Sequence, residues 1–434
     1  MKKIVFILIF LISLCSNAGA WQRGSVWEGW EWGGWEEWDG MTSFPNGLTF
    51  LADYSSDLDA DFSRGSPTAT FTRTGGATKP ATYFDSSGVM QKTVVTDDPR
   101  YNHGYYDATG WHAFTNPGVL IEGASTNLIA YSYSYQDATW TASNVTVADG
   151  DIDAPDGTTN ASTFTASAGN GTVLLAANTG TDAQTYSVFL KRKTGIGTIS
   201  ITADSGGNYT TVTLSTDWRR FTVTATAGTQ KCGIKIATNT DAIYVWGSQF
   251  ENIAFATSFI PTVDAALTRN AETLKYEIAG NRTAAMESCV VKFVMESASG
   301  LPLTNSLTDT DTKRRYFRFR STDDVGISPN YDDSGNCYVT DIINEAWTAN
   351  TEMTLGYAIQ HSSPYIAGYF DGVVDGTNET ADDFTDPAWG TYFWVGSDKD
   401  GVNQLYGTIF SIAFFNKVLS AEEMLTYHNR GWFQ

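Results

Sequence analysis

The segment Ile243–Thr262, with the sequence IYVWGSQFENIAFATSFIPT, is the strongest constraint on the fold of this chain. Its residues alternate, so Tyr244, Trp246 and Ser248 are expected on one face of a β-strand and their neighbours on the other. A strand that closes a β unit commonly pairs beside the beginning of that unit, and Gly118–Tyr131 is the best candidate partner. We therefore predict that these two segments are neighbours.

The composition favours many short strands joined by tight turns. The chain has 434 residues, of which 40 are glycine, 14% are aromatic and 17% are charged. This length exceeds one ordinary core, and we predict an all-β fold with two antiparallel β-sandwich domains in tandem and a short C-terminal helix. The predicted divisions are a signal peptide at 1–20, a tryptophan-rich arm at 21–45, an N-terminal segment with the first sandwich at 46–265, and the second sandwich at 266–434.

The net charge argues against nucleic acid as a partner. It is −21 for the whole chain, and loss of Lys2 and Lys3 with a cleaved leader would make it −23. Such a surface repels phosphate backbones, whose binding depends on Lys and Arg.

The first twenty residues have the layout of a secretory signal peptide. Lys2 and Lys3 precede an apolar run, Ile4–Leu14, and a small-residue cleavage signal, Ala18-Gly-Ala. A membrane anchor is the alternative, but this run is shorter than the ~20 apolar residues that cross a bilayer as a helix. Lipid attachment at Cys15 is disfavoured by the bulky residue before it. We expect export and no membrane span.

The arm Trp21–Trp38 carries tryptophans at 21, 27, 30, 32, 35 and 38. Its glycines and acidic residues disfavour a packed helix. Because exposed indoles commonly anchor interfaces, we predict an arm that binds a partner, such as another copy of the chain. A disordered linker is the alternative.

Three stretches carry a family resemblance: DFSRGSPTATFTRTG at 61–75, YFDSSGVMQKTVVTDDPRYNHGYYD at 83–107 and GVLIEGASTNLIAYS at 118–132. They resemble a segment widespread in phage tail, fibre and head-decoration proteins. Residues Gln136–Thr262 resemble the carbohydrate-binding jelly-roll module that follows it there. From Leu274 onward, the Phe370-Asp-Gly and Val395-Gly-Ser strand ends resemble a laminin-G-like, concanavalin A-like jelly roll.

The resemblance implies a secreted, extracellular or virion-surface protein that binds glycans. A bacterial secreted lectin-like protein is the rival interpretation, since a cleavable leader is unusual in a virion component. An enzyme is not expected. Glycosidases on the concanavalin-type scaffold carry an E-x-D-x-x-E run, which is missing, and the acidic pairs at 323–324, 332–333 and 382–383 face opposite ways on a strand. A secreted polysaccharide-active enzyme remains the alternative.

Aromatic residues flanked by loop residues are the candidates for stacking on sugar rings. They are Tyr209, Trp347, Tyr365 and Trp389. In contrast, Trp140, Trp218 and Trp246 lie in strand patterns and are expected in the core.

Two loops have oxygen ligands at a spacing that suits calcium. They supply Asp149, Asp151 and Asp153, followed by Asp156, and Asp398, Asp400 and Asn403. Ordinary turns are the alternative, because the same residue types favour them.

Two further predictions concern the C-terminal half. Ser420 and Glu423 have the spacing of a capping box, which predicts a helix ending at Gly431. Cys289 and Cys337 would share a domain and could pair after export, leaving Cys232 alone. Buried thiols are the alternative.

Overall fold

The computed structural model describes residues 46–175, 178–180, 183–204, 206–226, 228–283, 286–296, 303–306, 314–321, 324–331, 348–360, 365–378, 391–397 and 404–430. Several predictions lie outside these residues: the signal peptide, the Trp21–Trp38 arm, Trp347, Trp389, Asp398, Asp400, Asn403, Cys337 and Gly431.

The described chain is built from β-strands, as predicted, with one 3₁₀ turn (Gly76–Thr78) and one helix, α1 (Ala421–Arg430). The strands are β1 (Leu48–Asp53), β2 (Phe62–Ser63), β3 (Thr70–Thr72), β4 (Ala81–Phe84), β5 (Met90–Thr93), β6 (Tyr101–Asp107), β7 (Gly110–Ile121), β8 (Ser125–Asn127), β9 (Trp140–Ser143), β10 (Val145–Ile152), β11 (Ala161–Ala166), β12 (Gly171–Leu175), β13 (Asn178–Gly180), β14 (Gln184–Thr194), β15 (Ile199–Thr202), β16 (Thr210–Val212), β17 (Arg219–Ala225), β18 (Gly228–Gln230), β19 (Gly233–Ile236), β20 (Ala242–Glu251), β21 (Leu267–Arg269), β22 (Thr273–Glu277), β23 (Met286–Met295), β24 (Leu303–Ser306), β25 (Arg314–Ser321), β26 (Asp324–Tyr331), β27 (Glu352–Gln360), β28 (Tyr365–Phe370), β29 (Val373–Asn378), β30 (Tyr392–Val395) and β31 (Gly407–Phe415).

The first sandwich consists of two five-stranded antiparallel sheets. One has the order β10-β11-β20-β14-β17 and the other β16-β15-β19-β12-β9. Their facing sides bury an apolar core that includes Phe164, Tyr186, Ile234 and Val245. This is the arrangement expected when alternate residues of each strand face a second sheet.

Strand β20 is central in its sheet, between β11 and β14. The predicted alternation holds up to Trp246 but not for Ser248. Gly247, at φ 64°, and Ser248 together lie opposite the single Val188, which is a β-bulge. Ser248 therefore faces the apolar core of the first sandwich, where its hydroxyl lies 2.9 Å from the Tyr186 hydroxyl. Its predicted place on the Trp246 face is wrong, because one extra residue in a strand exchanges the two faces.

The second sandwich contains a nine-stranded sheet whose main path is β2-β1-β31-β23-β27-β28-β29, with β7 also on β31 and β6 on β7. A three-stranded sheet, β3-β22-β30, covers one face. Aromatic rings join the two layers: Phe50 lies 4.9 Å from Tyr276 and 5.2 Å from Phe393, centroid to centroid.

The N-terminal strands belong to the second sandwich, which differs from the predicted division at residue 265. Strand β1 pairs with β31 over Leu48–Asp53, and Val119–Ile121 of β7 pairs with the next part of the same edge. Without them this edge of β31 would expose unpaired amides and carbonyls over its length. A local strand pattern does not specify a partner 360 residues away.

The expected neighbours of β20 are found only in part. Strand β7 ends on β31, as described, whereas the following segment returns to β20. The Asn127 side chain accepts from the Phe250 amide at 3.1 Å and donates to the Ser248 and Ile260 carbonyls. The predicted proximity is thus confirmed for 127–132 and wrong for 118–121.

The C-terminal helix has the predicted capping box. The Glu423 amide donates to Ser420 Oγ at 3.2 Å, and the Ser420 amide donates to the Glu423 carboxylate at 2.9 Å. Met424 is buried, and Tyr427 stacks on Phe415 at 5.2 Å. The helix therefore covers the outer face of the nine-stranded sheet.

The cysteine pairing stays a prediction because Cys337 lies outside the described residues. Cys289 is buried in strand β23 and Cys232 in the first core. Cys232 is a free thiol within the described chain, and burial raises its pKa well above the ordinary value.

Candidate functional site

The structure places one predicted ligand residue, Tyr209, directly before strand β16. Its ring is partly buried and lies 5.2 Å from Lys235 Nζ. Tyr365 begins β28, and its side chain is outside the description. The structure therefore does not bring the four predicted aromatic residues together at one described site.

The predicted calcium segment lies in strand β10 and the turn after it. The Asp149 carboxylate accepts from Ser162 Oγ at 2.6 Å, Asp151 pairs with Lys193 at 2.8 Å, and Asp153 accepts from Thr159. Across the described ranges, no group of three His, Cys, Asp or Glu side chains is arranged to hold a metal ion. These carboxylates already hold neighbouring strands and turns, which accounts for their spacing without a cation.

The resemblance motifs of the N-terminal segment supply a buried ionic network where the two sandwiches meet. Arg100 pairs with Glu122 at 2.8 Å and donates from Nε to Glu272 at 2.7 Å. Arg269 pairs with Glu122 at 2.8 Å, and the Ser258 amide donates to the same carboxylate at 2.8 Å. Since Ser258 follows β20 and Glu122 follows β7, the network fixes the two sandwiches together.

Beside this network lies a cleft of about 700 Å³, between the β4 and β6 strands on one side and the edge of the first sandwich on the other. This volume is within the range of small-molecule sites. The cleft is the best candidate functional site in the described chain.

One wall of the cleft, the ring wall, is aromatic. It is formed by Tyr83, Phe84, Tyr105 and Tyr106. Tyr105 stacks on His112 at 4.9 Å with an interplanar angle of 15°. Phe84 and Tyr106 both pack on Trp111, at 5.4 and 5.2 Å. These contacts fix the ring orientations, and burial raises the pKa of all three tyrosines, so their hydroxyls stay neutral.

The opposite wall, the threonine wall, carries hydroxyl groups. It consists of Thr185, Thr210, Thr211, Thr213, Thr222 and Thr224. Most belong to β16 and β17, where alternate side chains face outward. Thr185 and Thr224 share a hydrogen bond of 2.8 Å, whereas Thr222 is exposed. A hydroxyl can both donate and accept a hydrogen bond, so these threonines can bind either a donor or an acceptor group of a ligand.

The floor of the cleft is formed by Asn102, Arg220 and Glu296. Arg220 donates to the Thr257 carbonyl at 2.7 Å and to Ser187 Oγ at 3.0 Å, but its buried Nε has no partner in the described chain. Glu296 is partly buried, and Asn102 Nδ2 lies 3.5 Å from its carboxylate. Within the described residues, Glu296 forms no ion pair.

The electrostatics of the floor distinguish Glu296 from Glu122. For Glu296, burial and the nearby Glu122 charge raise the pKa to about 8, although Arg100, Arg220 and Arg269 oppose this. For Glu122, burial alone would raise the pKa, but its contacts with Arg269 and Arg100 lower it to about 2. At neutral pH the network carboxylate is therefore charged and the cleft carboxyl largely protonated.

None of the cleft residues was among the ligand residues predicted from sequence. The resemblance motifs contain Arg100, Glu122 and Tyr105, but nothing local marks Glu296 or Arg220. Glu296 directly follows a long buried strand, β23. A carboxylate at the end of an apolar strand was the available signal.

No family model matches the chain, and no curated protein matches it. Among solved structures, it is similar to the CBM40 of the Ruminococcus gnavus IT-sialidase bound to α2,3-sialyllactose, at 14% identity and a TM-score of 0.30, covering 36% of this chain and 93% of that one. Domain 4 of AbnA, a GH43 extracellular arabinanase from Geobacillus stearothermophilus in complex with arabinotriose, is similar at 11% identity, with a TM-score of 0.29 and coverage of 37% and 73%. The botulinum neurotoxin serotype D binding domain is similar at 12% identity, with a TM-score of 0.30 and coverage of 37% and 41%.

Each of these matches covers little more than a third of the chain. The cleft residues, and not these matches, are therefore the basis for the functional proposal. As for membranes, the described residues include no helix long and apolar enough to cross a bilayer.

Proposed function

We propose that this is an exported protein that binds a glycan, without cleaving it, in the cleft between the two sandwiches. The observation that carries the proposal is the composition of the cleft lining, in which aromatic rings of β4 and β6 occur together with threonine hydroxyls of β14, β16 and β17. A pyranose has apolar faces and a rim of hydroxyls. Flat rings can cover the former, while threonine hydroxyls bind the latter.

The positions of the rings support binding rather than a packing role alone. The Tyr105 ring stacks on the His112 ring, and the Tyr105 hydroxyl donates to the Asn350 carbonyl at 3.3 Å. It remains only partly buried. A rigid, partly exposed ring loses little conformational freedom when a ligand stacks on it, which favours binding.

Binding without cleavage is the simpler proposal because glycoside hydrolysis ordinarily needs two carboxyl groups facing one bond. Asp107 and Glu296 both line the cleft. However, Asp107 accepts from the Thr109 and Gly110 amides and contacts the His112 ring at 3.0 Å. These contacts hold the Asp107 carboxylate at the tip of the β6–β7 hairpin.

A single shallow site would bind weakly, so useful adhesion needs several copies. Linking two sites can raise avidity by ~10²–10⁴. We propose that the Trp21–Trp38 arm brings copies together, either with itself or on a virion as the phage resemblance implies. A bacterial secreted lectin-like role uses the same cleft, and the neighbouring genes would distinguish the two.

The test is a glycan array, followed by calorimetry with any glycan that binds, on the mature chain with and without calcium. Tyr105→Ala should weaken binding about tenfold or more, because it removes a ring at the centre of the wall. Tyr105→Phe keeps the ring and should retain most of the affinity. Tyr209→Ala is the matched control, since it removes a partly buried tyrosine outside the cleft.

Binding that survives Tyr105→Ala but is lost in Tyr209→Ala, Trp347→Ala or Trp389→Ala would move the site to the aromatic residues predicted from sequence. Release of reducing sugar from a bound polysaccharide would refute the non-enzymatic part. Thermal unfolding of each variant confirms that the fold is intact.

A further inference from the structure

The charged groups around the cleft floor suggest which glycans it takes. The acidic members are Glu122, Glu251, Glu272 and Glu296, and the basic members are Arg73, Arg100, Arg220 and Arg269. Most of them satisfy one another: Arg100 and Arg269 pair with Glu122, while Arg100 and Arg73 pair with Glu272. Two groups that line the cleft, Arg220 and Glu296, have no ion pair within the described chain.

Within the described residues, Glu251 forms no salt bridge with Arg220. Its carboxylate accepts hydrogen bonds from Ser125 Oγ, Thr257 N and Gln249 Nε2. Arg220 is held by Ser187 and the Thr257 carbonyl, and its Nε lacks a partner. A guanidinium without an ion pair inside a protein is costly, and an anionic ligand group near the Arg220 side chain would lower that cost.

The charge balance of the floor depends on the proton of Glu296. Glu251, Glu296 and Glu122 all favour the charged form of Arg220. Protonation of Glu296 removes one of these charges and adds an O–H donor at the cleft floor. Arg100, Arg220 and Arg269 favour the ionised form, while burial and Glu122 oppose it more strongly. Tyr105 also faces Glu296, and its hydroxyl stays neutral.

We propose that the floor of the cleft binds an anionic substituent of the glycan, with Arg220 as its charged partner and the Glu296 carboxyl as a second contact. An acidic group there supplies Arg220 with a negative partner inside the cleft. It also accepts from Glu296 in a charge-assisted hydrogen bond, which is stronger than a neutral one. The inference rests on the proposed function and narrows its ligand class to acidic sugars, with a uronic acid carboxylate or a sulfate ester as the source.

The proposal implies a defined pH dependence. As pH rises through about 8, Glu296 ionises, the O–H donor is lost and the new charge repels the ligand anion. Affinity for an acidic glycan should therefore fall above this pH. The acidic ligand itself stays ionised over this range, so it does not cause the change.

The experiment compares matched ligands on the full chain by calorimetry at pH 6.5 and pH 9. The probes are uronic acid oligosaccharides, their methyl esters, which lack the charge, and sulfated and neutral galactan oligosaccharides. We expect acidic members to bind about 10- to 100-fold more tightly than their neutral partners at pH 6.5, as for one hydrogen bond to a charged group. The uronate and sulfate arms identify the source of the anion.

Two variants connect the preference to the floor. Arg220→Gln should remove the preference for acidic members, while Lys92→Gln, which removes an exposed charge elsewhere, should leave it intact. Glu296→Gln retains a donor that cannot ionise, so its affinities for an acidic ligand at pH 6.5 and pH 9 should be nearly equal, in contrast to the parent protein. Since Arg220→Gln removes a buried group, Arg220→Lys is a second variant that keeps the charge, and unfolding curves accompany both.

Esters that bind as tightly as acids would overturn this inference and leave the proposed function standing. An acidic preference that persists in Arg220→Gln, or a pH dependence unchanged in Glu296→Gln, would also overturn it. If no panel member binds and Tyr105→Ala behaves as the parent protein does, the proposed function itself fails.

Discussion

Replacing Glu122 by Gln tests whether the buried network holds the two sandwiches together. Glu122 is almost fully buried and accepts from Arg100, Arg269 and Ser258. Gln has nearly the same shape, so the change removes the charge and leaves two buried guanidinium groups with less compensation. Breaking a buried pair by removing one partner typically costs ~3–5 kcal/mol.

The pKa of Glu122 gives an independent magnitude. It falls from 4.5 to about 2 on folding, and at ~1.36 kcal/mol for each pKa unit this corresponds to ~3 kcal/mol. Because the folded pKa is depressed, this stability is present above pH 4.5 and is lost as pH falls toward 2. The gap between wild type and Glu122→Gln should therefore be ~3 kcal/mol at pH 7 and shrink progressively below pH 4.5.

The assay is urea unfolding followed by tryptophan fluorescence at pH 7, 4 and 3. Glu277→Gln is the matched control, because Glu277 is exposed at the end of strand β22, and surface changes of this kind usually stay within ~0.5 kcal/mol. A loss below ~1 kcal/mol at pH 7 for Glu122→Gln, or a gap that does not narrow in acid, would refute the reasoning.

Three other changes test further parts of the structure. Glu296→Gln should be most stabilising at high pH, because a folded pKa of about 8 makes wild-type stability fall as pH rises from 4.5 through 8; parallel urea midpoints for both proteins between pH 5 and 9 would contradict this. Ser420→Ala should cost ~1 kcal/mol by removing the capping box of α1, and an unchanged melting temperature would count against that role. Gly233→Ala should cost ~1–3 kcal/mol, because the new Cβ would lie 2.2 Å from the Val173 carbonyl oxygen; a stability equal to wild type would show that the two strands can separate.

Much of the secondary structure could be predicted from the sequence, because it depends on local chemistry. The strand predicted from Ile243 onward corresponds to β20, and the strand ends predicted at Phe370 and Val395 are the ends of β28 and β30. The capping box is a pattern of two residues three apart, so it required no distant information. The core positions of Trp140 and Trp246 are likewise confirmed, at 6% and 1% exposure. Trp218, also expected in the core, is only partly buried and packs against the cluster that contains Trp246.

Local sequence patterns did not predict which way a side chain faces where one extra residue changes the strand register. Gly247 could be recognised as a bulge only from the strand opposite it, since Val188 faces two residues of β20. The predicted face of Ser248 was wrong for that reason. The alternating acids of 149–153 have the spacing of metal ligands and also contact Ser162, Lys193 and Thr159 in the structure, so calcium binding there stays a prediction.

By itself, the sequence determined the all-β class, the strand segments and the capped helix, because side-chain periodicity and short-range hydrogen bonds decide them. Only the tertiary structure decided that β1 and β7 complete the edge of β31 and so make the second sandwich discontinuous in the chain. It also assembled the cleft, where Tyr105, Arg220 and Glu296 come from β6, β17 and the end of β23. Strand pairing over such separations depends on which edges remain open once the sheets have formed, and no local pattern records that.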